Sequence, residues 1–178
     1  VGGTSGDGLG DIVLTSTDEA WITGSTSSAD FPVTAGAYSN AYQGAGDAVI
    51  CKIKLDPSGV IPDVIDMIYS SFFGGTKTDY ANSIFINALQ QPFITGVTIS
   101  KDFPVTPGAY DITNNDFTVI LNGDFFVSRF TSSASSLIYS TYVGDSLTEE
   151  GLDIVVNSSN EALVTGYTYS RSFPTTSG

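Results

Sequence analysis

The sequence predicts an all-β protein assembled from copies of one four-stranded antiparallel unit. Three observations carry this. The frame T-G-x-T-x-S-x-x-F-P starts at Thr23, Thr95 and Thr165, recurring after 72 and then 70 residues. The apolar runs upstream of each frame are short, β-branched or aromatic, and bounded by turn residues. No segment shows a helical apolar period of useful length. A self-similar spacing means one supersecondary unit was copied, so the copies are aligned before any residue is weighed alone.

The first strand of each copy is Asp11-Ile12-Val13-Leu14, aligned with Ser83-Ile84-Phe85-Ile86 and Asp153-Ile154-Val155-Val156. A polar turn follows at Thr17-Asp18-Glu19, Leu89-Gln90-Gln91 and Ser159-Asn160-Glu161. The second strand then opens on Trp21-Ile22, Phe93-Ile94 and Leu163-Val164 and runs into the T-G frame. Two apolar runs across a polar turn read as a hairpin. A third strand is Gly46-Asp47 to Ile53, matched by Gly123-Asp124 to Phe130. A fourth is Ile68-Tyr69-Ser70 to Gly75, matched by Ile138-Tyr139-Ser140 to Asp145, and Val1-Gly2-Gly3 fits its tail. The near-continuous apolar character predicts that both strand faces are covered.

Length differences between copies fall in the connections, as a packed strand core permits. Four-stranded antiparallel units in tandem predict β-propeller blades stacked face to face. Read from the G-D strand, the chain divides within a single propeller segment, 1–178, into a partial blade, 1–38, and two blades, 39–110 and 111–178.

At this point the residues resemble the bacterial and archaeal seven-bladed β-propeller repeat family. The resemblance is carried by Tyr139-Ser140-Thr141, Val164-Thr165-Gly166, Phe31-Pro32-Val33-Thr34-Ala35-Gly36-Ala37-Tyr38, Phe103 to Tyr110, and Gly46-Asp47-Ala48-Val49. It covers essentially the whole chain, though the loops here are longer. It implies a propeller at the cell surface or outside the cell, in a large multidomain protein, and it brings no catalytic motif.

With 178 residues the chain holds about two and a half units. Propellers close with roughly 4–8 blades, so it is expected to be part of a longer chain. Copies completing one another in a ring or filament are the alternative. Its partners are accordingly other blades of the same parent chain or copies of itself, with glycan or a surface protein as a further partner. Nineteen acidic residues against six basic ones give a net charge of −13. That disfavours nucleic acid and anionic membrane, both of which need Lys and Arg clusters. No apolar run is long enough for membrane insertion.

There is no histidine and a single cysteine. Ser-His-Asp and Cys-His triads, imidazole zinc sites and thiolate clusters are thereby excluded within this chain. Cys51 shares a strand side with Val49 and Ile53 and reads as a buried, inert thiol. Asn157-Ser158-Ser159 matches a glycosylation sequon at a turn. Asp47 and Asp124 suggest paired carboxylates. They are one position repeated, however, so they read as acceptors for strand-end backbone amides. Sites specific to one copy fall in the loops Asn40 to Gly44, Asp56 to Asp66 and Asp111 to Asn122. In the last of these, Asp111, Asn115 and Asp116 offer oxygen ligands for calcium, without the glycine and closing glutamate of a hand-type loop. Tyr42, Tyr167 and Tyr169 read as interblade packing or as sugar-stacking aromatics. The expected function is a non-catalytic extracellular module, structural, adhesive or binding. The alternatives are a filament or surface-layer subunit and a carbohydrate-binding or carbohydrate-active propeller.

Overall fold

A computed structural model describes residues 1–15, 18–55, 65–115 and 123–176. They form ten strands and, among the described residues, no helix. The strands are β1 Asp7–Leu14, β2 Glu19–Thr26, β3 Asp47–Leu55, β4 Ile65–Phe73, β5 Asp79–Ile86, β6 Pro92–Thr98, β7 Asp124–Phe130, β8 Leu137–Val143, β9 Glu149–Val156 and β10 Ala162–Thr168. They make three antiparallel sheets, β1-β2-β3-β4, β5-β6-β7-β8 and the two-stranded β9-β10. This is the arrangement of an incomplete propeller-like fold.

The sheets group the strands differently from the repeat unit read in the sequence. Each complete sheet closes on its hairpin strands first and its Y-S strand last, so breaks fall at 74–78 and 144–148. Units starting at 39 and 111 are therefore permuted by two strands. A tandem repeat carries no marker of phase; only the hydrogen-bonded ladders decide which four strands form one sheet.

Register follows from the hairpin turns. Asn87 Oδ1 accepts the amides of Leu89 and Gln91, and Asn157 Oδ1 accepts those of Ser159 and Glu161. The turn position shared by Asp18, Gln90 and Asn160 has φ of 56, 59 and 63°. The Asn157 of the sequon thus holds its own turn and also donates to Glu161 Oε2 at 2.6 Å.

Each first strand carries a bulge at one aligned position. Gly10, Asn82 and Leu152 are the extra residues between pairs Leu9/Asp11, Ala81/Ser83 and Gly151/Asp153. The glycine of the T-G frame lies opposite this bulge. A Cβ on Gly24, Gly96 or Gly166 would come within 2.0, 1.9 and 1.9 Å of the carbonyl oxygens of Gly8, Tyr80 and Glu150. Only glycine fits so close an approach of two backbones.

The core lies between sheets. Trp21, Ile50 and Phe73 of the first sheet pack on Ile84, Ile94, Phe126 and Phe130 of the second. Phe103, from the F-P loop, enters the same layer with ring centroids 4.8 Å from Phe73 and 4.5 Å from Phe126. Behind the second sheet, Phe93 and Val127 pack on Ile154, Val156 and Val164. Trp21, Phe93 and Leu163 therefore hold one aligned position in three sheets, and Trp21 and Phe93 each face the next sheet. Trp21 and Phe93 are buried, whereas Leu163 is 55% exposed because no described sheet follows it. First strands approach closely, β1 to β5 and β5 to β9. Among the described residues the outer strands β4 and β8 show no such approach, so the sheets splay like a fan.

Candidate functional site

The recurring polar residues assemble at the joints between sheets. Asp7, Asp79 and Glu149 begin β1, β5 and β9. Each accepts the hydroxyl of the frame's second threonine, Thr26, Thr98 or Thr168. Each also accepts a loop amide: Gly3 at 2.7 Å, Gly75 at 2.8 Å and Asp145 at 3.0 Å. The frame's serine, Ser28, Ser100 or Ser170, then accepts the amides of Ser5, Lys77 and Leu147, each at 2.9 Å. In two copies the aspartate of the frame closes the loop. Asp30 accepts the Thr4 amide and Asp102 the Thr76 amide, each at 2.9 Å. The T-x-S-x-D spacing is thus a device for satisfying backbone amides where the chain passes from one sheet to the next. The frame's first threonine ties second to third strand: Thr23 Oγ1 donates to the Val49 carbonyl and Thr95 Oγ1 to that of Phe126, each at 2.8 Å.

Asp47 and Asp124 belong to this machinery, as their repeated position predicts. Asp47 accepts the Gln43 and Gly44 amides at 2.9 and 3.1 Å, and Asp124 accepts the Asn115 amide at 3.1 Å. The preceding glycines bridge the sheets, with Gly46 O accepting the Asp79 amide and Gly123 O that of Glu149, both at 2.8 Å.

Each joint consequently holds two buried carboxyl groups. A Cβ placed on Gly74 would meet Asp79 Oδ2 at 2.6 Å and Asp47 Oδ1 at 3.2 Å. At Gly144 it would meet Asp124 Oδ1 at 2.3 Å and Glu149 Oε2 at 2.8 Å. Burial pushes the Asp79 carboxyl up to about 6 against the pull of its Thr98, Gly75 and Ser100 donors, and the Asp47 charge adds to the rise. Burial raises Asp47 as well, opposed by its two amides. A carboxyl pair with raised values, such as Asp47 and Asp79, marks an acid–base site when a substrate can reach it. Asp47, Asp79, Asp124 and Glu149 are all wholly buried, so they serve the joint.

The remaining residues singled out in the sequence disperse. Cys51 is buried with Sγ 3.4 Å from Ser70 Oγ, and burial raises its thiol. Asp111 Oδ1 accepts the amide and hydroxyl of Thr113, and Asn115 presents its amide nitrogen to Asp111 Oδ2 at 2.8 Å. Asp111 and Asn115 are thus brought together, but with Asn115 donating, which is the opposite polarity to shared cation ligation. Asp116 lies outside the described residues, as do 56–64 of the Asp56 to Asp66 loop and 116–122 of the Asp111 to Asn122 loop. Among the described residues no group of three or more acidic, cysteine or histidine side chains converges. Tyr42 packs on Phe72 of its own sheet, centroids 5.8 Å apart. Tyr167 and Tyr169 are both exposed and lean on each other, ring centroids 5.4 Å apart.

Beside β10 an open groove of about 220 Å³ is lined by Phe125, Glu150, Thr165, Tyr167, Thr168 and Phe173. Phe125 and Phe173 stack along one wall at 6.2 Å, and Tyr167 donates its hydroxyl to Glu150. Of these, the sequence offered only Tyr167 as a ligand contact; Thr165, Thr168 and Phe173 stood out as frame residues, and Glu150 lies outside the frame. The groove is smaller than the roughly 300–1,000 Å³ of ordinary small-molecule sites. No family model and no curated protein sequence matches this chain.

Proposed function

We propose that the chain is a non-catalytic structural or adhesive module, an arc of a β-propeller of the seven-bladed repeat kind, working at the cell surface or outside the cell. The observation that carries this reading is where the recurring polar chemistry goes. The Asp or Glu and the Ser of each copy, and the frame's Asp in two copies, accept loop amides at the joints, the Thr hydroxyl donates to the Asp or Glu, and the paired carboxyls are sealed from solvent. A chain whose repeated polar residues hold sheets together, and whose exposed residues vary between copies, supports surface presentation rather than turnover. The acidic balance is compatible with a solvent-exposed extracellular surface.

The groove beside β10 supports a weaker binding reading, in which Tyr167, Tyr169 and Glu150 contact a sugar ring. One experiment addresses both. The purified chain is presented to a glycan panel, to surface proteins and to intact cells, with hydrolysis of each glycan followed in parallel. Retention on a surface without hydrolysis is the expected result. Hydrolysis abolished by Glu150→Gln would overturn the non-catalytic reading.

A further inference from the structure

The first strands bring one aligned position together. Asp11 of β1, Ser83 of β5 and Asp153 of β9 each follow the bulge of their sheet. Ser83 Oγ lies 2.9 Å from Asp11 Oδ2 and 2.9 Å from Asp153 Oδ1. The Ile84 amide donates to Asp11 Oδ2 at 3.1 Å, and the Ile154 amide reaches Ser83 Oγ at 3.4 Å. At this level the one Ser83 hydroxyl stands between two carboxylates, donating to one at a time, and each joint is backed by an amide of the later sheet.

The two outward faces of the fan continue the same surfaces. On the first sheet Leu9, Ile12 and Leu14 are exposed. They align with Ala81, Ile84 and Ile86, which pack the second sheet onto the first. On the third sheet Val155 and Leu163 are exposed, in line with Phe85 and Phe93, which pack the second sheet onto the third. The β9–β10 face is therefore built as the leading half of a joint, and the outer face of β1 as a trailing half. A second copy stacked by the same operation would set its Asp11 against Asp153, carboxylate on carboxylate.

We propose that the exposed face of β9 and β10 docks another sheet of this repeat that carries a neutral hydrogen-bond donor at the Ser83 position. Asp11 and Asp153 together exclude an identical copy from that face. Apolar contact discriminates only weakly between sheets, because it is non-directional and the aligned packing positions are mostly apolar in every copy. Two like charges brought together as water leaves the joint do discriminate, since repulsion in such a setting is far stronger than in water. The inference rests on how the sheets stack and is independent of the adhesive role proposed above.

Sedimentation equilibrium of the full chain at pH 7 tests this, with thermal melts to confirm folding. Asp153→Ser recreates the Ser83–Asp153 type of contact with a second copy and leaves Asp11 on Ser83. Asp11→Ser recreates the other type from the opposite face, and Asp153→Asn stands in if a serine variant does not fold. The wild-type chain is expected to stay monomeric where Asp153→Ser associates head to tail, at least about a hundredfold more tightly. Adding Leu163→Asp should return that variant to monomer. Wild-type association as strong as the variant's would overturn the proposal. So would folded variants that all remain monomeric, or association that survives Leu163→Asp.

Discussion

Asp47, from the third strand of one sheet, and Asp79, from the first strand of the next, lie side by side against Gly74, both wholly buried. Asp47 is held by the Gln43 and Gly44 amides, and Asp79 by the Gly75 amide and the Thr98 and Ser100 hydroxyls. The arrangement makes the joint sensitive to protonation.

The expected outcome is a loss of stability as pH rises from about 4 to about 6. The Asp79 carboxyl stands at about 6 in the folded chain against 3.8 when free. Its value is raised, so its contribution is whole below the unfolded value and is lost as pH climbs through the folded one. The displacement corresponds to about 3 kcal/mol, and Asp47, raised by the same burial, acts in the same direction. Asp7, Asp30 and Asp102 act oppositely. The Thr26 hydroxyl and the Thr4 and Thr76 amides, respectively, hold them below 3.8, so their support fades as pH falls below that value. Urea unfolding between pH 3 and 8 should show a maximum near pH 4–5, and Asp79→Asn should flatten the limb above it. A stability that rises steadily to pH 7 would contradict this account.

Gly96→Ala is expected to cost more than about 2 kcal/mol, because the new methyl meets the Tyr80 carbonyl backbone and the β5–β6 pair, with β6 also bonded to β7, must part. Gly166→Ala makes the same collision with Glu150 but sits in a two-stranded sheet, where β10 is free to shift. Its effect should be distinctly smaller. Comparing the two unfolding midpoints checks whether the bulge, rather than the residue type, sets the penalty.

Trp21→Phe should be close to neutral, unlike most reductions of a buried side chain. Trp21 Nε1–H is buried without an acceptor among the described residues, a state that costs about 1–3 kcal/mol. Losing it offsets part of the lost contact area, while Lys52, 5.5 Å from the ring, keeps an aromatic face. Trp21→Ala, which opens the layer shared with Tyr69 and Ile50, should cost about 3–5 kcal/mol. Equal losses for the two variants would show that the unpaired donor has no energetic weight.

The joint was only half legible in the residues. The frame at Thr23, Thr95 and Thr165 stands out because identical side chains recur at fixed spacing. Its acceptor does not, because Asp7, Asp79 and Glu149 begin strands well upstream and one of them is longer by a methylene. The role of Asp47 as a strand-end acceptor was legible from its repetition at Asp124. Its meeting with Asp79 was not, since the two sit in different sheets and no local pattern links them.

The sequence by itself determined the strands, the hairpins and the recurrence of the T-G glycine, since these depend on residues close together in the chain. Only the tertiary structure decided which four strands share a sheet, and that Asp11, Ser83 and Asp153 meet. Those outcomes depend on how separate sheets stack, and residues about 70 positions apart become neighbours only once the apolar layers between sheets have closed.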